Sequence, residues 1–173
     1  ELMANELRRN GYRHVGLVAP NGMYYGFAQG LKDLVLNVKC QDATDLVDEL
    51  KCIKSAEEIQ LIRETALMQD EVMVQLLDYV KPGMKEYEVA AYMQYLTTLR
   101  GGSQGLYIVM STPPGQPAFV KPKYMQGRTI GKGDVVGIMI ECNGPAGFYT
   151  HVFRFAVMGK APQEIIDAHA MVL

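Results

Sequence analysis

The chain of 173 residues has no tryptophan, three cysteines, three histidines and almost no charge imbalance, with 17 basic and 19 acidic residues giving a formal net charge of -2. Cys40, Cys52 and Cys142 are odd in number, widely spaced and form no C-x-x-C. That argues against a disulfide framework and a zinc knuckle, and all three are expected to be buried thiols. The balanced charge offers no electrostatic footprint for a nucleic-acid backbone or an anionic membrane surface. Apolar runs such as Val135 to Ile140 fall far short of the ~20 residues that span a bilayer, and Glu1 begins no signal-peptide pattern. A cytoplasmic protein is expected. No G-x-x-x-x-G-K-[ST] loop, G-x-S-x-G elbow or H-E-x-x-H helix occurs, and "GFAQG" and "GGSQG" lack the glycine spacing that cradles a phosphate.

What is present is enough apolar material, 49% of the residues, to bury one substantial core or one core with a small appendage. Residues 1 to 10 read as a helix closed by Gly11. "HVGLVAP" reads as a short strand, "NGMYYGFAQGLKDLV" as a turn and helix, and "LVLNVKCQDA" as a second strand. Strand, helix, strand is a βαβ-like unit, the tail of an α/β domain. A boundary is expected near residues 42 to 54.

Ser55 followed three residues on by Glu58 has the spacing of a capping box. Beyond it Ile59, Ile62, Ala66, Met73, Leu76, Leu77 and Val80 recur at three- and four-residue steps and predict one amphipathic helix. Pro82 ends it. A second helix is predicted over 85–100 with Val89, Met93 and Leu96 inward. The rest turns to strands: "LYIVMST", a proline-rich loop, then "VVGIMIEC" and "FYTHVFRFAVMG" joined by "NGPAG", with Pro162 opening a last helix. Helices grouped beside antiparallel strands indicate an α+β layer architecture.

Two residues could carry chemistry. If the "NGPAG" turn centres on Ala146, Glu141 and His151 stand opposite each other on one face of the sheet. They would then form a general base with its orienting carboxylate. A slip of one residue puts them on opposite faces, and the sequence leaves that register open. The bland alternative is a solvated strand-end glutamate and a hydrogen-bonded structural histidine. Metal binding needs three or four His, Cys, Asp or Glu ligands, or several carboxylates for a hard cation. His14 and His169 fall at opposite ends of the chain, and "GQPAFVKPKYMQG" contains none of these residue types.

Several stretches, taken in order, resemble one family. "ELKCIKSAEEIQLIRETALMQDEV" is similar to the linker and first helix of the creatinase/prolidase/aminopeptidase P family. "VKPGMKEYEVAA" resembles its Lys-Pro-Gly-Met-x-Glu turn, and "RTIGKGDVVGIMIECNGPAGFYTHVFRFAVMGKAPQE" its R-x-I-x-x-G-D turn, central hairpin and return strand. The resemblance implies a pita-bread fold, of which residues 46–173 would be the N-terminal half, preceded by residues 1–45 as the C-terminal part of an α/β N-terminal domain. The chain starts without methionine and stops within an apolar-periodic segment, as a piece of a larger protein would.

In metal-dependent members of that family an Asp on each hairpin strand binds a pair of divalent cations such as Mn, Co or Zn. The resemblance puts His151 at one such position and Glu141, beside Ile140, at or next to the other. The position of an upstream pocket histidine falls on Ala118, Phe119, Val120 and Lys121. No metal ligand and no cofactor are therefore expected. The residues look closer to creatinase-like members, which implies hydrolysis of an amide or amidine C–N bond in a small or dipeptide substrate. His151 and Glu141 would be catalytic, and Phe119, Tyr149 and Phe153 substrate-binding. A homodimer is expected of the parent protein, and the piece alone is expected to be inactive. The alternative is a catalytically dead pita-bread module that binds peptides or proteins.

Overall fold

The computed structural model describes residues 1–117 and 126–172, which form two compact units, Glu1–Ser55 and Ala56–Leu173. The first unit runs α1 (Leu2–Arg9), β1 (His14–Leu17), a short 3-10 turn at Pro20–Gly22, α2 (Tyr25–Leu34), β2 (Lys39–Asp42) and α3 (Thr44–Cys52). β1 and β2 pair in parallel, which makes β1-α2-β2 the expected βαβ unit. Ala4, Leu31 and Val35 form its small core. α3 falls within this compact unit, which ends at Ser55.

The second unit contains α4 (Ala56–Tyr79), α5 (Glu86–Leu99), β3 (Gly105–Thr112), β4 (Val135–Asn143), β5 (Tyr149–Val157) and α6 (Gln163–Ala170). The three strands form an antiparallel sheet in the order β3-β4-β5. Alternate residues of β4 (Val136, Ile138, Ile140 and Cys142) are fully buried in one cluster with Val72, Met73 and Leu76 of α4 and Val89, Met93 and Leu96 of α5. The period-2 strand pattern and the period-3.6 helix pattern meet in that layer, giving the expected α+β arrangement with α4 and α5 on one face of the sheet.

The inward face of α5 is as expected, but that of α4 is rotated. Ile59 and Leu77 are 40% and 41% exposed, while Thr65 and Gln69 are buried beside Met68 and Val72. Apolar periodicity misses a face whose buried members include a threonine and a glutamine with specific partners. The cysteines also differ from expectation. Cys142 is buried, Cys40 is half-buried, and Cys52, in the last turn of α3, is exposed.

The two turns that carried the family resemblance are zipped together. Gly83 N–H donates to the Ile130 carbonyl at 2.8 Å, Ile130 N–H to Met84 at 2.8 Å, and Glu86 N–H to Arg128 at 3.0 Å. Glu86, with no exposed surface, accepts from the Ser111 amide at 2.7 Å and hydroxyl at 2.8 Å. Arg128 donates to Ser111 Oγ at 2.7 Å and grips Asp134 with both terminal nitrogens. Asp134 also caps the Gly131 amide at 2.6 Å. One polar network therefore ties the start of α5, the end of β3 and the turn entering β4, and each charged group in it is hydrogen-bonded, as burial requires.

Candidate functional site

Opposite the helix layer, the sheet presents a second row of side chains. Since Ile140, Cys142 and Val152 are buried in the helix-facing core, strand alternation turns Glu141, His151 and Phe153 to the other face. The ladder pairs Glu141 with His151, Met139 with Phe153 and Asn143 with Tyr149. On the far side of β4, Leu106 stands opposite Glu141. The register is the one in which the turn centres on Ala146, so the carboxylate and the imidazole share a face. His151 is exposed and Glu141 half-buried, and among the described residues no hydrogen bond or ion pair between their side chains is formed.

Two anchors hold this hairpin. The first is Asn143, at the end of β4, whose Oδ1 accepts from the Ser103 and Gln104 amides at 3.2 and 2.8 Å while Nδ2 donates to the Gly144 carbonyl at 3.0 Å. The second comes from α4. Gln69 Nε2 donates to the carbonyl of Cys142 at 3.1 Å and to that of Thr150 at 2.8 Å, with Cys142 Sγ at 3.3 Å. One turn earlier Thr65 sits so close to Gly144 that a Cβ there would lie 2.3 Å from Thr65 Oγ1. Burial pushes the Cys142 thiol above its ordinary pKa, which keeps it protonated and unreactive.

The walls are aromatic. Phe153 and Phe155 meet edge to face, with ring centroids 4.6 Å apart. The Phe153 ring leans over Gly137, where a Cβ would lie 2.9 Å from its Cζ, so the absence of a side chain at Gly137 makes room for it. Tyr149 donates its hydroxyl to Gln104 Oε1 at 3.1 Å. At the far end of the same face an apolar cleft of about 420 Å³ opens between Val135, Phe155, Val157 and α6, with neither Glu141 nor His151 in its lining.

Of the residues expected to act, the structure brings together Glu141, His151, Tyr149 and Phe153. Phe119 lies outside the described residues, as do Ala118, Val120 and Lys121. Among the described residues no three His, Cys, Asp or Glu side chains are grouped to hold a metal ion. Among the described residues the open face of the hairpin supplies one carboxylate and one imidazole, whereas a pair of divalent cations calls for bridging carboxylates and four or more ligands for each ion. These residues do not fit a two-cation centre on their own.

Sequence reasoning missed Gln69 and Thr65, which position the site from behind. The only signal for them was their place on the inward side of a long helix.

Comparison with known proteins gives a consistent family. Residues 60–173 match the model of "Metallopeptidase family M24". An Xaa-Pro dipeptidase from Pyrococcus horikoshii is 23% identical over 94% of this chain and 45% of its own length, and an uncharacterized peptidase of Bacillus subtilis is 21% identical over 98% and 47%. Among solved structures, an X-Pro aminopeptidase from Thermotoga maritima superposes with a TM-score of 0.78 at 17% identity, covering 99% of this chain and 48% of that one. The prolidase from Pyrococcus horikoshii gives 0.76 at 22% identity, covering 95% and 47%. The fold is the pita-bread fold of these proteins, and the chain spans about half the length of the curated relatives it matches.

Proposed function

Because the chain belongs to metallopeptidase family M24, we propose that its parent protein hydrolyses a C–N bond, amide or amidine, in a small substrate such as an Xaa-Pro dipeptide. The observation that carries this reading is the Glu141–His151 pair on the open face of the sheet. His151 would take the proton of the attacking water and return it to the departing nitrogen, and Glu141 would orient the imidazole and hold the positive charge it gains. Tyr149 and Phe153 would form apolar walls beside the pair, and Phe119 is kept as a substrate-binding residue on the family resemblance alone. The names of the relatives, Xaa-Pro dipeptidase among them, support the substrate class. The donor set of the open face supports a mechanism without the family's two-cation centre.

We assign the activity to the protein in which the pocket is complete, and read residues 1–45 as the end of a separate α/β domain. Among the described residues no helix is long and apolar enough to cross a membrane. We take the protein to be cytoplasmic and homodimeric.

The test is a panel of Xaa-Pro dipeptides and creatine-like amidines assayed with the full-length protein, together with metal analysis of the same sample. Turnover that survives chelation and falls in the E141Q and H151N variants is expected. Two tightly bound cations per chain, with activity that follows them, would refute the cation-free part. No turnover of any member of the panel would favour a pita-bread module that binds peptides.

A further inference from the structure

Gln69 is buried on α4 with 1% exposure, and the apolar core around it gives its carboxamide no place unless its donors are used. They are used in an unusual way for a helix side chain, since a single nitrogen donates to carbonyls on two different strands, Cys142 of β4 and Thr150 of β5. Those two residues are directly paired in the ladder, and the next pair along is Glu141 with His151. Thr65, one helical turn back, seats Gly144 of the connecting turn. Helix α4 thus holds the hairpin at its turn and at the rung beside the pair.

We infer that Gln69 is a positioning residue: by binding the Cys142 and Thr150 carbonyls together it holds the register in which Glu141 and His151 stand directly opposite each other on one face. The need for such a clamp follows from the strand period. A slip by one residue would send the imidazole to the other side of the sheet; the buried row of Ile138, Ile140, Cys142 and Val152 opposes that slip from the core, but the five-residue connection containing Gly144 and Gly147 adds little against it. Gln69 forbids it because its two acceptors lie opposite each other only in the native register. A methionine of similar shape would fill the space but donate nothing, leaving two buried carbonyls without this partner.

This role deepens the reading of Glu141 and His151 as the pocket pair and rests on it. The experiment compares Q69M with V89A, a core truncation on α5 that leaves the clamp intact, by NMR of the full-length protein. In Q69M the cross-strand contacts between Glu141 and His151 are expected to weaken, and amide exchange at residues 141–143 and 150–152 to quicken by about tenfold or more. V89A is expected to keep those contacts and to lose protection only in proportion to global stability. Native contacts and unchanged relative protection in Q69M would overturn the role of Gln69. A register lost in Q69M, in a full-length enzyme whose turnover ignores E141Q and H151N, would instead overturn the pocket reading and leave Gln69 as a strand clamp alone.

Discussion

Glu141 of β4 and His151 of β5 occupy one rung of the antiparallel ladder, on the face of the sheet that α4 and α5 leave bare. Neither side chain contributes to the apolar core, so a stability role does not account for the placement. Truncating either one should leave the fold within about 0.5 kcal/mol of the parent, as for other surface positions. Removing a general base or its orienting group typically costs about a hundredfold to ten-thousandfold in rate. E141Q and H151N in the full-length protein are therefore expected to melt normally and to lose kcat/KM by about a hundredfold or more. Unchanged turnover in both variants would remove the pair from the chemistry.

The contact between Thr65 and Gly144 gives a sharper test of how α4 seats the hairpin. A Cβ at residue 144 would lie 2.3 Å from Thr65 Oγ1 and 3.1 Å from Thr65 Cβ, and both belong to a stiff, β-branched side chain on a helix. G144A should destabilise the chain by about 1–3 kcal/mol, the usual range for overpacking. T65A removes the nearer atom, so the two substitutions should couple, the penalty of G144A being smaller in the T65A background. Denaturant midpoints of the four proteins measure this, and strictly additive effects would place the hairpin turn elsewhere.

The sequence carried the hairpin well. Of the two registers the sequence left open, the observed one is that of a turn centred on Ala146. It carried α5 equally well, because Val89, Met93 and Leu96 are apolar and buried. It failed on α4, where Gln69 is buried with its donors on carbonyls of β4 and β5 and Thr65 is buried against Gly144 of the connecting turn, while Ile59 and Leu77 are apolar yet 40% and 41% exposed. Hydrophobic period reports the average face of a helix and is blind to a polar residue whose partner is some 70 or 80 positions away. The network of Glu86, Ser111, Arg128 and Asp134 was hidden for the same reason, although the two turns that contain most of it were the most family-like stretches of the chain.

Asp134 makes that network sensitive to acid. Its hydrogen bonds from Arg128, and secondarily from the Gly131 amide, hold its carboxyl below the ordinary value of 3.8, while the carboxyl is almost wholly buried. A carboxyl whose folded pKa is depressed contributes stability that is present above the ordinary value and is lost as the pH falls through the folded one. Wild type and D134N should therefore differ most near neutrality, by about 2 kcal/mol, and converge as the pH drops below the usual carboxylate range. Urea melts between neutral pH and about pH 3 follow the difference directly. A gap that stays constant with pH would mean that Asp134 is held by shape and not by charge.

Glu86 tests the same network from its buried end. Its Oε1 accepts from both the amide and the hydroxyl of Ser111, at 2.7 and 2.8 Å, and Arg128, whose amide lies 3.4 Å from Oε2, brings its guanidinium to the same serine. E86Q keeps an acceptor oxygen for Ser111 but discards a negative charge that adds to the field of Asp134 on Arg128. E86A discards both and leaves a cavity as well as orphaned donors on β3. The cost should rise from about 1–2 kcal/mol for E86Q to about 3–5 kcal/mol for E86A. Because Ser111 closes β3 at the end remote from Glu141 and His151, E86Q should leave the contacts between that pair intact while amide protection at Ser111 and Arg128 falls. Equal losses for the two variants would show that the site needs the charge and nothing else of the side chain.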